Sequence, residues 1–408
     1  MRQSTLQIIS VPVWSWTSRR VWFAAGAAAL CGLAWSAPWQ WLGPGLSLLL
    51  IPLVLAQRTR LRRYGVALAY YLAGSHGIPL ASAVFFGYGS TGKGIVLWLA
   101  SSALLAAGWA FADRPWKAVT VLAFDALVPP LSFFDWMSPL TAAGVFFPGW
   151  SWAGLALLLA VVLATPFLLR HKGILGILAA LSLVLNALYV PASLPQGWGG
   201  IDLHVGPSHK SILANFERMQ SWVATAGRQK AKILLLPETL LTWWSGSADF
   251  VQRHVPKGAI WLVGATVPLP GGYYADGIEE VTPYGYRRLF ASALPVPVSM
   301  WMPWRTPEEG RNNLHLLHVP SWMIPDQYRA FWWSPVQTID GQSVWANICY
   351  DQLLPLIWLE GVIQGPHVVL LTNNEWWAHG TGIPKIQAAS SWAWTRLIGA
   401  QTLEAENK

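Results

Sequence analysis

Two side chains able to do covalent chemistry sit where apolar runs give way to polar turns. Cys349 lies in Ala346-Asn347-Ile348-Cys349-Tyr350-Asp351, and Glu238 lies in Leu236-Pro237-Glu238-Thr239, directly after the run from Lys232 to Leu236. A strand ending in a reactive side chain presents it at the carboxyl edge of a sheet. Two such strands can bring a thiol and a carboxylate together. A thiol is a weak nucleophile until a base removes its proton, and a glutamate within hydrogen-bond reach can be that base. A cysteine after a strand can equally be a buried structural residue, so these residues alone leave both readings open.

Other chemistries find less support. Gly87-Tyr88-Gly89-Ser90-Thr91-Gly92-Lys93-Gly94 has the look of a phosphate loop, but Gly94 stands where Ser or Thr must follow the lysine. No His, Cys or acidic cluster has zinc spacing, and no Gly-x-Ser-x-Gly elbow occurs. Neither a metal nor a cofactor is therefore expected. His76 and Asp125 lie within apolar runs. A carboxylate there is costly and often functional, though a packing role between helices explains Asp125 as well.

The elements that must position Cys349 and Glu238 follow a sharp change in composition. The chain is 54% hydrophobic and 11% charged over 408 residues, against roughly 25% charged in a soluble protein. Residues 1–195 hold 12 Lys and Arg but 3 Asp and Glu, whereas residues 196–408 hold 15 and 16. The net charge of +8 therefore belongs to the first half, which argues against nucleic-acid binding by the polar half. Two cysteines in different halves suggest no disulfide framework.

Seven apolar runs predict about seven transmembrane helices: Val21–Ala37, Trp39–Ala56, Tyr64–Phe86, Gly94–Ala112, Trp116–Trp136, Trp150–Leu169 and Gly173–Val190. The second and third contain Pro and Gly and can be broken. Arg19, Arg20, Arg58, Arg60, Arg62, Arg63, Arg114, Lys117, Arg170 and Lys172 fall on one side, leaving Lys93 and Asp135 on the other. By the positive-inside rule the amino terminus is cytoplasmic and everything beyond Pro191 lies outside, in the periplasm of a Gram-negative cell. Trp22, Trp39, Trp41, Trp116, Trp136 and Trp150 sit at span ends, as interfacial tryptophans do.

After a Pro- and Gly-rich linker at 191–200 the pattern turns to alternating α/β. Strands are expected at Ile201–Val205, Lys232–Leu236, Ile260–Val263, Leu314–His318, Val344–Ile348 and His367–Leu371. Helices are expected at Ser211–Gln229, Leu353–Ile363 and Ile386–Leu397, and a hairpin turn at Asp340-Gly341.

Several spans followed by an external α/β half, with Pro-Glu after one strand and Cys-Tyr-acid after another, resembles apolipoprotein N-acyltransferase of the nitrilase (carbon–nitrogen hydrolase) superfamily. The resemblance covers nearly the whole chain. It implies a multi-pass α-helical membrane domain (1–195) followed by a nitrilase-like α-β-β-α sandwich (196–408). It also implies a Glu-Lys-Cys triad, with Glu238 as general base and Cys349 as nucleophile. Tyr350, Asp351, Asn373, Glu375 and Trp376 would surround them, with Asp351 standing for the family's usual glutamate. The triad lysine has no counterpart: Ser292 falls about where it belongs, and Met300 where a nearby glutamate belongs. Arg287 or Arg288 is the cation nearest that slot, though Arg cannot give up a proton as Lys can. The chain also stops soon after Gly399, which suggests a sandwich truncated at its carboxyl end.

The stretch from Pro295 to Trp304, the short tail and the segment Asn373-Asn374-Glu375-Trp376-Trp377 look more like the conjugal-transfer TraB branch of these proteins. That resemblance implies an inner-membrane protein that supports plasmid conjugation. Its chemistry would be thiol-dependent acyl transfer or amide cleavage at the membrane surface. Its partners would be the lipid bilayer, a phospholipid or lipoprotein, and the conjugation machinery. A degenerate scaffold of the mating apparatus and a true lipoprotein N-acyltransferase remain as alternatives.

Overall fold

Proline and glycine decide where the apolar half bends. A computed structural model describes residues 19–207, 211–243, 245–304, 306 and 327–408. The first half runs through α1 (Arg19–Leu33), α2 (Leu42–Ser47), α3 (Leu50–Leu55), α4 (Arg60–Gly74), α5 (Ile78–Phe86) and α6 (Thr91–Trp109). It continues through α7 (Pro115–Leu127), α8 (Ala142–Phe146), α9 (Ser151–Leu163), α10 (Thr165–Arg170) and α11 (Lys172–Leu188). The Thr59 side chain caps α4 by accepting the Arg62 N–H, and Pro115 opens α7 at a position where no N–H is needed.

The expected second and third spans are broken, the second into α2 and α3 and the third into α4 and α5. The fifth and sixth, expected whole, are broken too. α7 stops at Leu127, ahead of Pro129 and Pro130, and α9 yields to α10 at Pro166. Among the described helices α6 alone is long and apolar enough to cross a bilayer by itself. The segments Pro139–Phe146 and Ser151–Leu163 would qualify only together, and they meet at 117°.

The second half carries β1 (Trp198–Gly200), α12 (Ile212–Gly227), β2 (Ile233–Leu235), β3 (Leu241–Thr242), α13 (Ser245–His254), β4 (Ile260–Pro268), β5 (Tyr274–Thr282) and β6 (Gly285–Ala291). Then come β7 (Gln337–Ile339), β8 (Gln342–Ile348), α14 (Pro355–Gln364), β9 (Val368–Asn374), α15 (Ile383–Ile398) and β10 (Gln401–Asn407). A six-stranded sheet has the order β1-β2-β4-β5-β6, with β3 also beside β4; a four-stranded sheet has the order β10-β9-β8-β7. β1, β2 and β4 are parallel, as are β8, β9 and β10, while β5–β6 and β7–β8 are antiparallel hairpins. Asp340 and Gly341 both take positive φ between β7 and β8, the backbone a two-residue hairpin turn needs.

Alternation along the strands sets the layers. Ile233, Leu235, Ile278, Phe290, Val344, Ala346, Ile348, Leu370 and Leu403 meet between the two sheets. Leu234 and Leu236 face α12 and α13 instead, packing on Trp222, Val223 and Val251. Trp345, Val369 and Leu371 face the other way, onto Trp358 of α14 and Trp394 of α15. The layers therefore run helices, sheet, sheet, helices. α15 is buried all round because its far side meets the apolar half. A Cβ on Gly144 of α8 would lie 1.7 Å from the Ala393 carbonyl oxygen, and one on Gly77 would lie 1.9 Å from that of Thr381. Trp109, Leu140, Trp358 and Trp394 belong to one continuous apolar core.

Several expectations shift. The strand expected at Ile201–Val205 lies earlier, at β1, with Leu203 making only an isolated bridge to Asn407. The hairpin β5–β6 was not foreseen, nor was β10, so the chain continues as a strand after Gly399. The strand expected at Leu314–His318 lies outside the described residues.

Candidate functional site

β2 runs parallel to β1 and β4, and β8 runs parallel to β9; the loops that follow β2 and β8 bring Glu238 and Cys349 together at one edge of the sandwich. Glu238 follows β2 and is 4% exposed. Its neighbour Thr239 has φ +47° and accepts a hydrogen bond on Oγ1 from Asn374 Nδ2 at 2.7 Å. Gly264 of β4 makes room for this turn, since a Cβ there would lie 2.2 Å from the Pro237 oxygen. Cys349 closes β8 at φ +48° and opens a single 3₁₀ turn, Cys349–Leu353. A left-handed backbone is uncommon for cysteine and is held only where surrounding structure over-determines it.

The groups that bear on the Glu238 carboxyl are Asp276, the Cys349 thiol, the Asn374 backbone N–H and Asp351. Burial is the largest influence and pushes Glu238 up to about 7. Burial also pushes the Cys349 thiol well above its ordinary value, and the neighbouring Glu238, Asp276 and Glu375 carboxyls push it further. At neutral pH the resting pair is thus a protonated thiol beside a partly ionised carboxyl. Glu238 Oε2 is buried without a hydrogen-bond partner among the described residues.

Asp351 is a clamp. Its carboxylate accepts the backbone N–H groups of Ala293 at 2.9 Å and Leu294 at 2.8 Å. It thereby fastens the segment after β6 to the cysteine turn. Burial raises Asp351 to about 6, with these two N–H groups opposing the rise. Asn373 Oδ1 accepts from Gln352 Nε2 at 2.7 Å and from Gln387 Nε2, and Ser391 donates to Gln352 Oε1 at 2.9 Å. The turn is thus tied to α15. Tyr350 reaches into the apolar half, donating to the Phe133 carbonyl and accepting from Trp136 Nε1, both at 2.6 Å. Trp376 stacks near Phe85 of α5, ring centroids 6.4 Å apart. Burial, then the charge of Glu406, raises Glu375 to about 8.

The structure therefore brings together Glu238, Cys349, Tyr350, Asp351 and Glu375, with Asn373 bracing the turn, while Trp376 lies against α5. It does not bring in the arginines. Arg287 is exposed on β6 and pairs with Glu280, and Arg288 lies over the Phe331 ring at 5.3 Å from its centroid. Both stand in the solvent-facing stretch of that strand, so neither serves Cys349 as the expected cation. One residue was missed: Asp276 of β5, 2% exposed and in contact with Glu238. A hairpin turn at Pro283-Tyr284 was readable, but Asp276 comes beside Ser292 only through a register shift between Ile278 and Glu279, which no residue pattern marks. Among the described residues no cluster of three His, Cys, Asp or Glu could hold a metal.

An apolar helical half fused through a shared core to a layered α/β half, with a buried thiol–carboxyl site at the strand ends, defines the class. Compared with curated proteins, the chain is 31% identical over 396 residues to conjugal transfer protein TraB of Agrobacterium fabrum, covering 90% of this chain and 89% of that protein. It is 28% identical over 380 residues to probable conjugal transfer protein TraB of Sinorhizobium fredii, covering 86% and 90%. The chain belongs to the family of conjugal transfer protein TraB. No protein-family model matches it. Among solved structures it is similar to glutamine-dependent NAD+ synthetase of Acinetobacter baumannii, at 13% identity and a TM-score of 0.26 over 43% of this chain and 31% of that one, too slight a likeness to place the fold.

Proposed function

We propose that this chain serves plasmid conjugation from the bacterial inner membrane, as a thiol-dependent acyltransferase or amidase with a nitrilase-like periplasmic domain. One observation carries the reading. Cys349 is held in a left-handed turn at the end of β8 with its thiol bearing on Glu238 at the end of β2. In the reaction Glu238 takes the thiol proton as sulfur attacks an acyl carbonyl carbon. The carbonyl electron pair moves to oxygen, and the C–N or C–O bond to the leaving group breaks as Glu238 returns the proton to it. An amine or water then attacks the thioester and frees Cys349. The aromatic residues Phe133, Trp301 and Trp332 pack together beside Tyr350, an apolar margin suited to an acyl chain of a phospholipid or lipoprotein.

The charge pattern of the first half and the exposed apolar side chains of α11, none of which is buried, support a multi-pass arrangement in lipid. A second reading, a non-catalytic scaffold for the mating apparatus, is favoured by the raised thiol and the absent family lysine. The experiment is labelling of the full-length protein in detergent with a p-nitrophenyl acyl ester, with mass spectrometry at Cys349. Acylation at Cys349 that is lost in Glu238→Gln, together with loss of conjugation in Cys349→Ala, is expected. A wild-type protein that stays unlabelled, with conjugation intact in Cys349→Ala, leaves the scaffold as the answer.

A further inference from the structure

Asp276 stands beside Ser292, about where the resembled family has its lysine. In the β5–β6 hairpin Gly277 pairs with Ala291, and the Ser292 N–H donates to the Asp276 carbonyl at 2.7 Å. Asp276 and Ser292 are thus cross-strand partners, and partners of this kind project to the same face. Ile278 and Phe290, two residues along on the same face, lie between the sheets, so this face looks toward the end of β8. Ser292 falls about where the resemblance implies a lysine. Its partner across the ladder is a carboxyl, equally buried, whose Oδ1 has no hydrogen-bond partner among the described residues.

Glu238 and Asp276 touch in a site of low dielectric, and two carboxyls in contact there do not both ionise. A base must be ionised to accept a proton. If Glu238 is the base, the shared proton stays on Asp276, and burial plus the Glu238 charge act in that direction. A carboxyl that keeps its proton is a hydrogen-bond donor rather than an acceptor alone.

We propose that Asp276, as a neutral carboxylic acid, donates a hydrogen bond to the substrate carbonyl oxygen and takes the part that a lysine ammonium at position 292 would have played. The inference rests on the thiol-acyl reading above and names the group that receives the developing charge. As the S–C bond forms, the carbonyl electron pair settles on oxygen. The Asp276 O–H holds that oxygen without giving up its proton, and Glu238 holds the thiol proton until the leaving group takes it. The two carboxyls thus divide the work: one ionised acceptor, one neutral donor.

Full-length protein in detergent, treated with the same p-nitrophenyl ester, gives the rate of Cys349 acylation from released nitrophenol. Asp276→Asn keeps a donor in the same place and is expected to slow acylation about tenfold. Asp276→Leu keeps the branching at Cγ and has no donor, and is expected to slow it about 10²–10³-fold, the scale for losing one oxyanion donor. Circular dichroism checks that each is folded. Asn and Leu variants with equal rates overturn the inference, and so does a Leu variant as fast as wild type. If only the Asn variant folds, a loss beyond a hundredfold in it overturns the inference and a tenfold loss supports it. A wild-type protein that is not acylated at all defeats the thiol-acyl reading itself, which separates the two failures.

Discussion

Cys349 carries two costs before any reaction begins: a left-handed backbone, and a thiol held protonated by burial among carboxyls. The backbone is destabilising by itself, while the raised thiol makes the nucleophile harder to ionise; Asp351 and the Tyr350 hydroxyl are what fix the turn. With Glu238 as the base and its carboxyl pushed to about 7, the ionised fraction grows as pH rises through 7. The rate of Cys349 acylation should climb about tenfold per unit below that value and level above it, as a general base requires. A stopped-flow pH profile checks this, and Glu238→Gln should flatten it while lowering the rate about 10²–10⁴-fold. Glu238 and Cys349 were legible in the sequence because the apolar runs stop beside them. The arginines misled because nothing in Tyr286-Arg287-Arg288 shows which way an edge strand turns its side chains. Asp276 stayed hidden because its strand, Tyr-Ala-Asp-Gly-Ile-Glu-Glu-Val-Thr, reads as polar although most of it is buried.

The elements that decide the architecture are α8 and α15, which touch backbone to backbone. Gly144 admits this: any Cβ there would lie 1.7 Å from the Ala393 oxygen. Gly144→Val should therefore destabilise the protein by about 1–3 kcal/mol or more, the scale for overpacking a close contact. Gly26→Ala, in a position with nothing within 4 Å, should be neutral or slightly stabilising because Ala favours helix. Thermal unfolding of both variants in the same detergent checks the pair, and equal melting temperatures would contradict the docking. Helices α12, α14 and α15 were legible from their periodicity and strands β2, β8 and β9 from their apolar runs. β10 was not, because Gln-Thr-Leu-Glu-Ala-Glu-Asn resembles a polar tail. Only its alternation, with Leu403 and Ala405 buried, betrays a strand.

Across the whole molecule, buried carboxyls set the response to acid. Glu238 is raised to about 7, Asp351 to about 6, and Glu360 and Glu375 to about 8, each chiefly by burial. Their folded values exceed the unfolded ones, so the folded state binds more protons between about pH 4.5 and 8, and stability falls as pH rises through that window. The melting temperature should be higher at pH 5.5 than at pH 8.5; the reverse order would show these groups ionised and paired instead. The charge asymmetry of the first half predicts that a reporter active only outside the cytoplasm works when fused at Gly200 and fails when fused between α3 and α4. The opposite pattern would invert the topology.

β10 gives the molecule a property of timing. Its Asn407 donates from Nδ2 to Asn374 Oδ1, Asn374 donates from Nδ2 to Thr239 Oγ1, and the Asn407 carbonyl accepts from Glu375 N–H. The loop that bears Glu238 is thus steadied by residues made some 170 positions later. A ribosome must have passed residue 407 before the thiol and its base can be held in register. Until then the unfinished chain carries Cys349 and Glu238 on loops that nothing yet braces, so the site is assembled last, with the closing strand of its sheet.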